Sequence, residues 1–161
     1  MPVQDEVYLG NPLLKKANVK QEFTKEQILE FVACKNDPVY FAKQHVKIVS
    51  LDEGLVPFQP YDFQEKLIHN FHKNRFNICK MPRQTGKSTT SVSYLLHYAV
   101  FNDNVNIGIL ANKAATARDL LGRLQTAYEN LPKWMQQGII SWNKGSLELE
   151  NGSRILAAST S

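Results

Sequence analysis

The sequence predicts an α/β fold with a mainly parallel sheet, and three observations carry that expectation. Across residues 74–130 the apolar pattern changes from strand to helix, then to strand and helix again. The triplet Gly86-Lys87-Ser88 falls at the junction of the first such strand and the first such helix. The 161 residues are 43% hydrophobic and 21% charged, which suits one globular domain or a large fragment of a longer protein and excludes wholesale disorder.

The elements follow in order. Residues 1–20 carry Gly10, Pro12, Lys15, Lys16 and Lys20 and read as an arm rather than core. Thr24 and Gln27 have capping-box spacing, so a helix begins there, with Ile28, Leu29, Phe31 and Val32 as its apolar stripe. Asp37-Pro38 reads as a cap and first-turn proline opening a short helix to about His45. VKIVSLDEG reads as an extended piece, turning around Gly54 and Pro57. Tyr61, Phe63, Leu67, Ile68 and Phe71 mark another helix. Residues 74–81, apolar at Phe76, Ile78 and Cys79, read as a buried strand, with Cys79 a small core residue. A helix over 86–101 follows, with Tyr94, Leu95, Tyr98 and Phe101 as core. Residues 105–111 form the most strand-like segment, 113–130 an amphipathic helix, and 132–136 one further turn. Asn151-Gly152 between two alternating runs signals a hairpin.

Several classes are excluded. No apolar run reaches the ~18 to 20 residues of a membrane span. The start, MPVQDEVYLG, has no basic and apolar signal, so the chain is expected to be cytosolic. Cys34 and Cys79 form no CxxC pair, which removes a disulfide scaffold and a Cys-rich zinc site. His69 and His72, three apart, lack a Cys or acidic companion, and none of His45, His69, His72 and His97 has a partner set with metal-ligand spacing. Lys plus Arg at 19 against Asp plus Glu at 15 gives +4, a mild bias towards phosphate-bearing partners.

The informative stretch is NICKMPRQTGKSTTSVSYLL. Free backbone N–H groups at a helix start bind phosphate, so Gly86 would let the backbone approach the anion. Lys87 would reach the β- and γ-phosphates and the Ser88 hydroxyl would ligate Mg²⁺. The strict GxxxxGK[ST] pattern needs glycine at 81, where this chain has Met81. A GK[ST] triplet arises by chance in roughly one chain in ten of this length. The context of strand before and helix after therefore carries the assignment, against a polar turn starting a surface helix. Arg83 is either a solvent-facing turn arginine or a cation near the γ-phosphate, and spacing leaves both open.

MPRQTGKSTT resembles the deviant Walker A of large terminase subunits, the DNA-packaging motors of tailed bacteriophages, especially the T-even type. FQPYDFQ resembles that family's adenine-recognition segment, and GILANKAATARDLLGRL its strand and helix after the loop. GIISWNKGSLELENGSRILAAS resembles the approach to Walker B, while NPLLKKANVKQEFTKEQILEF and NDPVYFAKQHVKIV are similar to the N-terminal subdomain. The resemblance implies a P-loop NTPase three-layer core over 57–161, partial because its later strands are missing. An arm and small helical subdomain over 1–56 would precede it.

By the same resemblance, Gln59 and Gln64 contact adenine; without it, both read as ordinary helix-start polarity. ATP and Mg²⁺ are the implied cofactors, cradled by Met81, Pro82, Arg83, Gln84, Thr85, Gly86, Lys87, Ser88 and Thr89. Arg83 and Lys87 take the catalytic roles and Ser88 the metal. Implied partners are double-stranded DNA, a portal protein, a small terminase subunit and a homo-oligomeric ring. The implied place is the cytoplasm of the infected bacterial host, with no membrane.

A P-loop ATPase also needs an apolar strand ending in an acidic pair. After the loop the acids are Asp103, Asp119, Glu129, Glu148 and Glu150, and none ends such a strand. Glu148 and Glu150 alternate with Leu147 and Leu149 as a strand's wet face. Asp52-Glu53 follows an apolar run but precedes the loop, and reads as a solvated turn. The resemblance puts the acidic pair and a C-terminal nuclease beyond residue 161, so the sequence is expected to be the front of a larger reading frame. The 161 residues alone would hydrolyse ATP hardly at all. With its later strands missing, segment 74–81 would have uncovered apolar faces and the chain low stability or a tendency to self-associate. Lys113, Arg118 and Arg123 sit where related helicases and translocases contact nucleic acid, though a solvated helix face is the favoured reading. A superfamily 2 helicase-like ATPase fragment and a non-catalytic nucleotide- or DNA-binding remnant are the alternatives.

Overall fold

A computed structural model describes residues 6–160. At the N-terminus β1 (Val7–Tyr8) and β2 (Asn11–Lys15) pair as an antiparallel hairpin. This corrects the reading of an arm: Leu14 is buried in the hydrophobic core, and Lys16 bridges Ile139. The Gln136 side chain holds the hairpin in place. Its Oε1 accepts from Lys15 N–H at 3.0 Å and its Nε2 donates to the Leu13 carbonyl at 2.9 Å. Residues 1–5 of the expected arm lie outside the described residues.

Helix α1 (Lys25–Asn36) starts at the expected capping box, Thr24 with Gln27, and α2 (Pro38–His45) starts at Asp37, whose carboxylate accepts from Val39 and Tyr40 N–H. The expected stripe of α1 is corrected, because Ile28, Leu29 and Val32 are exposed and Cys34 is its one fully buried side chain. What ties α1 to α2 is polar: Glu30 pairs with His45 Nε2 at 2.8 Å and accepts from Tyr40 O–H at 2.9 Å. Cys34 lies beside this pair, so His45 does have a Glu and Cys partner set, with the three ligand atoms within 4.8 Å of one another. Sequence spacing hides it because His45 arrives from the second helix. Burial, with Glu30 alongside, pushes the Cys34 thiol up to about 12.

Strands β3 (Lys47–Ser50) and β4 (Gly54–Pro57) make an antiparallel hairpin, so the chain turns at 51–53, ahead of the expected position. Asp52 and Glu53 are exposed in that turn, as expected. Helix α3 (Asp62–Lys73) leads into the largest departure from expectation. Residues 74–81 form no strand: Phe76 is 81% exposed, Ile78 is 102% exposed, and Cys79 is a free surface thiol. A strand needs a ladder partner, and among the described residues no strand pairs with this segment.

Helix α4 (Lys87–Phe101), strand β5 (Asn106–Ala111) and helix α5 (Ala114–Glu129) follow the expected order, and then come β6 (Ile139–Trp142), β7 (Ser146–Leu149) and β8 (Arg154–Ser159). The sheet order is β5-β8-β7-β6, with only β5 and β8 parallel. The expected mainly parallel sheet is thus replaced by a mixed one. Asn151-Gly152 does turn β7 into β8, with Gly152 at φ +83°. Helix α5 packs on β5 and β8, α4 packs on α5, and α3 packs on α4. Ile107, Ile109, Leu147, Leu149 and Ile155 point into this helical side, while Leu110 and Leu156 are exposed on the other. The described residues therefore give two layers, helices on one face of a sheet, rather than three. On α4 the buried line is Val92, Leu96, Ala99, Val100 and Phe101; Tyr94 and Leu95 are half-buried and Tyr98 is exposed. No helix among the described residues is long and apolar enough to cross a membrane.

His97, on the core side of α4, is 1% exposed and ringed by Phe41, His72, Tyr94 and Phe101. Its Nε2 donates to the Cys34 carbonyl at 2.8 Å, and burial outweighs that bond, lowering the pKa from 6.5 to about 4. The proton therefore binds the unfolded chain more tightly than the folded one. Stability should be flat above pH 6.5, fall between pH 6.5 and 4, and lose about 3 kcal/mol from this group by the lower limit. Urea midpoints at pH 7.5 and pH 5 check this, and His97→Gln should remove the His97 part of the slope.

Candidate functional site

Residues 81–86 form a loop that ends in a tight turn against the start of α4. Gln84 at φ +60° and Gly86 at φ +74° both take the left-handed conformation, which glycine adopts freely and a side-chain-bearing residue at a cost of about 1 kcal/mol. The Thr85 hydroxyl donates to the Pro82 carbonyl at 2.9 Å and closes the turn from within. No side chain caps α4, whose first backbone bond runs from Thr90 N–H to the Gly86 carbonyl at 2.9 Å. The N–H groups of Lys87, Ser88 and Thr89 consequently have no acceptor among the described residues, and they carry the positive end of the helix dipole.

The side chains around the turn are lightly committed. Lys87 reaches back over the loop, its Nζ donating to the Met81 carbonyl at 3.3 Å. A single solvent-exposed bond of this kind is easily exchanged for a stronger acceptor. The Ser88 hydroxyl has no hydrogen-bond partner among the described residues, whereas Thr90 Oγ1 is committed to the Gly86 carbonyl at 2.7 Å. Arg83 is exposed and makes no ion pair among the described residues. Pro82 and Gln84 are exposed, and Met81, Thr85 and Thr89 half-buried. The loop residues singled out from the sequence, 81–89, are thus contiguous around one turn.

Gln59, ahead of α3, and Gln64, in its first turn, part company. Gln59 is exposed. Gln64 is 4% exposed, with its Oε1 accepting from Tyr61 N–H at 2.8 Å and its Nε2 donating to the Thr85 carbonyl at 3.3 Å. Nothing in the sequence singles out Gln64 as a loop contact; its partner lies 21 residues ahead and is reached only through the packing of α3 on α4.

Carboxylates stand elsewhere. Asp119 pairs with Arg123 on α5 at 3.2 Å, and Glu148 with Arg154 at 3.3 Å. Glu150 accepts from Asn18 N–H at 2.8 Å. Among the described residues none bonds to the loop. Lys113, Arg118 and Arg123 are exposed, with Arg123 held by Asp119.

The α/β chain thus carries a glycine-ended turn and an exposed lysine at a helix start that no side chain caps, features on which an anion site can be built. A family model for the terminase large subunit, T4likevirus-type, N-terminal, matches residues 78–161, more than half of the chain and all of the loop. The chain belongs to this family, and so to the machinery of phage DNA packaging.

Proposed function

We propose that the chain is the ATP-binding part of a packaging motor, with a P-loop NTPase core built around residues 81–89. The supporting observation is the start of α4: three N–H groups without acceptors among the described residues, a left-handed Gly86, and an exposed Lys87 whose ammonium donates to the Met81 carbonyl of the same loop. These residues fit a nucleotide triphosphate. The backbone N–H groups of 86–89 and Lys87 would hold the phosphates, the unpartnered Ser88 hydroxyl would take Mg²⁺, and exposed Gln59 is free to meet adenine. Met81, Pro82, Gln84, Thr85 and Thr89 shape the cradle.

Arg83 and Lys87 supply positive charge where negative charge accumulates on the γ-phosphoryl oxygens, and preorganised charge of this kind is the main lever in phosphoryl transfer. Mg²⁺ supplies further neutralisation of phosphate charge when bound. In the motor, hydrolysis drives double-stranded DNA into the procapsid, with a portal protein, a small terminase subunit and a ring of copies of this chain as partners. The place of action is the host cytoplasm.

Amide mapping tests the binding reading. Titrating the isotope-labelled chain with Mg·ATP should shift the backbone amides of 86–89 more than those of any other segment.

A further inference from the structure

Away from the loop at 81–89, the fold brings together Glu30, Cys34 and His45, three metal-ligating side chains whose ligand atoms all lie within 4.8 Å of one another. Glu30 and Cys34 are four apart on α1, so they fall on one face of that helix a turn apart. His45 is the last residue of α2, and Asp37 both ends α1 and caps α2, with no linker between the helices. The His45 Nε2 lies 2.8 Å from Glu30 Oε1, and the Cys34 Sγ lies 3.6 Å from the same oxygen. A tetrahedral Zn²⁺ holds thiolate, imidazole and carboxylate atoms about 3.3–3.6 Å apart, so shifts of about 1 Å convert this cluster into a ligand set.

Each member is also held from outside the cluster. Tyr40 O–H donates to Glu30 Oε2 at 2.9 Å, which leaves Oε1 turned towards the other two. The Cys34 carbonyl accepts from buried His97 Nε2 at 2.8 Å, fixing the end of α1. The rings of Phe41 and Trp134 flank the His45 imidazole, with centroids 6.3 and 6.4 Å away. Outer partners of this kind orient metal ligands and tune their affinity. Cys34 is fully buried while Glu30 and His45 are partly exposed, so solvent reaches the cluster and a water can take a fourth position.

We propose that Glu30, Cys34 and His45 form a site for a divalent transition-metal ion, Zn²⁺ by donor type, that clasps α1 to α2. One sulfur, one nitrogen and one oxygen donor suit Zn²⁺, whereas Mg²⁺ and Ca²⁺ take oxygen. On binding, the Cys34 thiol proton leaves for solvent, Glu30 Oε1 exchanges its two hydrogen bonds for the ion, and the neutral His45 ring carries its proton on Nδ1. A clasp supplies what the α1 packing lacks, since Ile28, Leu29 and Val32 are exposed and Cys34 is its one fully buried side chain. The site shares no residue with the loop at 81–89 and stands or falls apart from the nucleotide reading.

Cobalt titration of the metal-free chain tests this, in a Cys79→Ser background that leaves Cys34 as the one thiol. The expected result is one equivalent of Co²⁺ with thiolate-to-cobalt charge-transfer absorption and tetrahedral visible bands, displaced by Zn²⁺ but not by excess Mg²⁺. Zn²⁺ should also raise the melting temperature, because it binds the folded arrangement more tightly than the unfolded chain. Tyr40→Phe should weaken binding by about 10- to 100-fold and His45→Gln by more, while Cys34→Ser should abolish the charge-transfer band. Circular dichroism checks that each variant folds, and the volume-matched Glu30→Gln, at a partly exposed position, serves beside Cys34→Ser. No charge-transfer band in the folded protein, a band that survives Cys34→Ser, or an affinity unmoved by both His45→Gln and Glu30→Gln would overturn the proposal, leaving the cluster a hydrogen-bonded contact between two helices.

Discussion

Replacing Lys87 with alanine should weaken Mg·ATP binding by about 10- to 100-fold, the range of one charge-assisted hydrogen bond to phosphate. In the structure this ammonium is exposed and donates only to the Met81 carbonyl, so its removal breaks one weak internal bond. The folded state should accordingly be untouched: surface substitutions of this kind fall within roughly ±0.5 kcal/mol. A titration calorimeter and a denaturant melt on the same sample separate the two effects. Hydrolysis by these 161 residues should stay near background, because no carboxylate among the described residues bonds to the loop to orient a water. Turnover that vanished in Lys87→Ala would mean that a catalytic acid lies among the residues assigned here to other tasks.

The largest effect on stability is expected at Phe41. Its ring is fully buried at the meeting point of α2 and α4, edge-on to His97 and Phe101 and near His45. Phe41→Ala removes those contacts and leaves a cavity between two helices that cannot readily close over it, a loss of about 3–5 kcal/mol. Against a total of about 5–15 kcal/mol for a domain, that is enough to depopulate the native state on mild heating. The margin here should be at the low end, since Phe76, Ile78, Leu110 and Leu156 leave apolar surface uncovered. Denaturant unfolding with and without the substitution, over a range of protein concentrations, measures the margin and any self-association.

Local chemistry was legible in the sequence and remote pairing was not. The Thr24–Gln27 box, Asp37-Pro38 and the Asn151-Gly152 turn each act within four residues, and the structure has all three. The apolar run at 74–81 reads as a buried strand, and that reading fails: the segment has no ladder partner among the described residues, and Phe76 and Ile78 face solvent. Leu14 sits in the core on a hairpin that Gln136, more than a hundred residues away, bonds from both ends of its amide. The start of α4 was legible because Gly86-Lys87-Ser88 breaks one pattern and opens another, and the structure begins the helix at Lys87 with Gly86 left-handed before it. The commitment of Gln64 to the turn before that helix was not, since it depends on how α3 packs against α4.

Backbone amide mapping with Mg·ATP tests the central claim most directly. The account predicts saturable shifts concentrated at Gly86, Lys87, Ser88 and Thr89, reproduced in part by inorganic tripolyphosphate and displaced to about 10- to 100-fold higher ligand concentration in Lys87→Ala. Shifts centred elsewhere, such as the groove between β3, α4 and α5 lined by Val46, Ile48 and Thr126, with 86–89 unmoved, would contradict it.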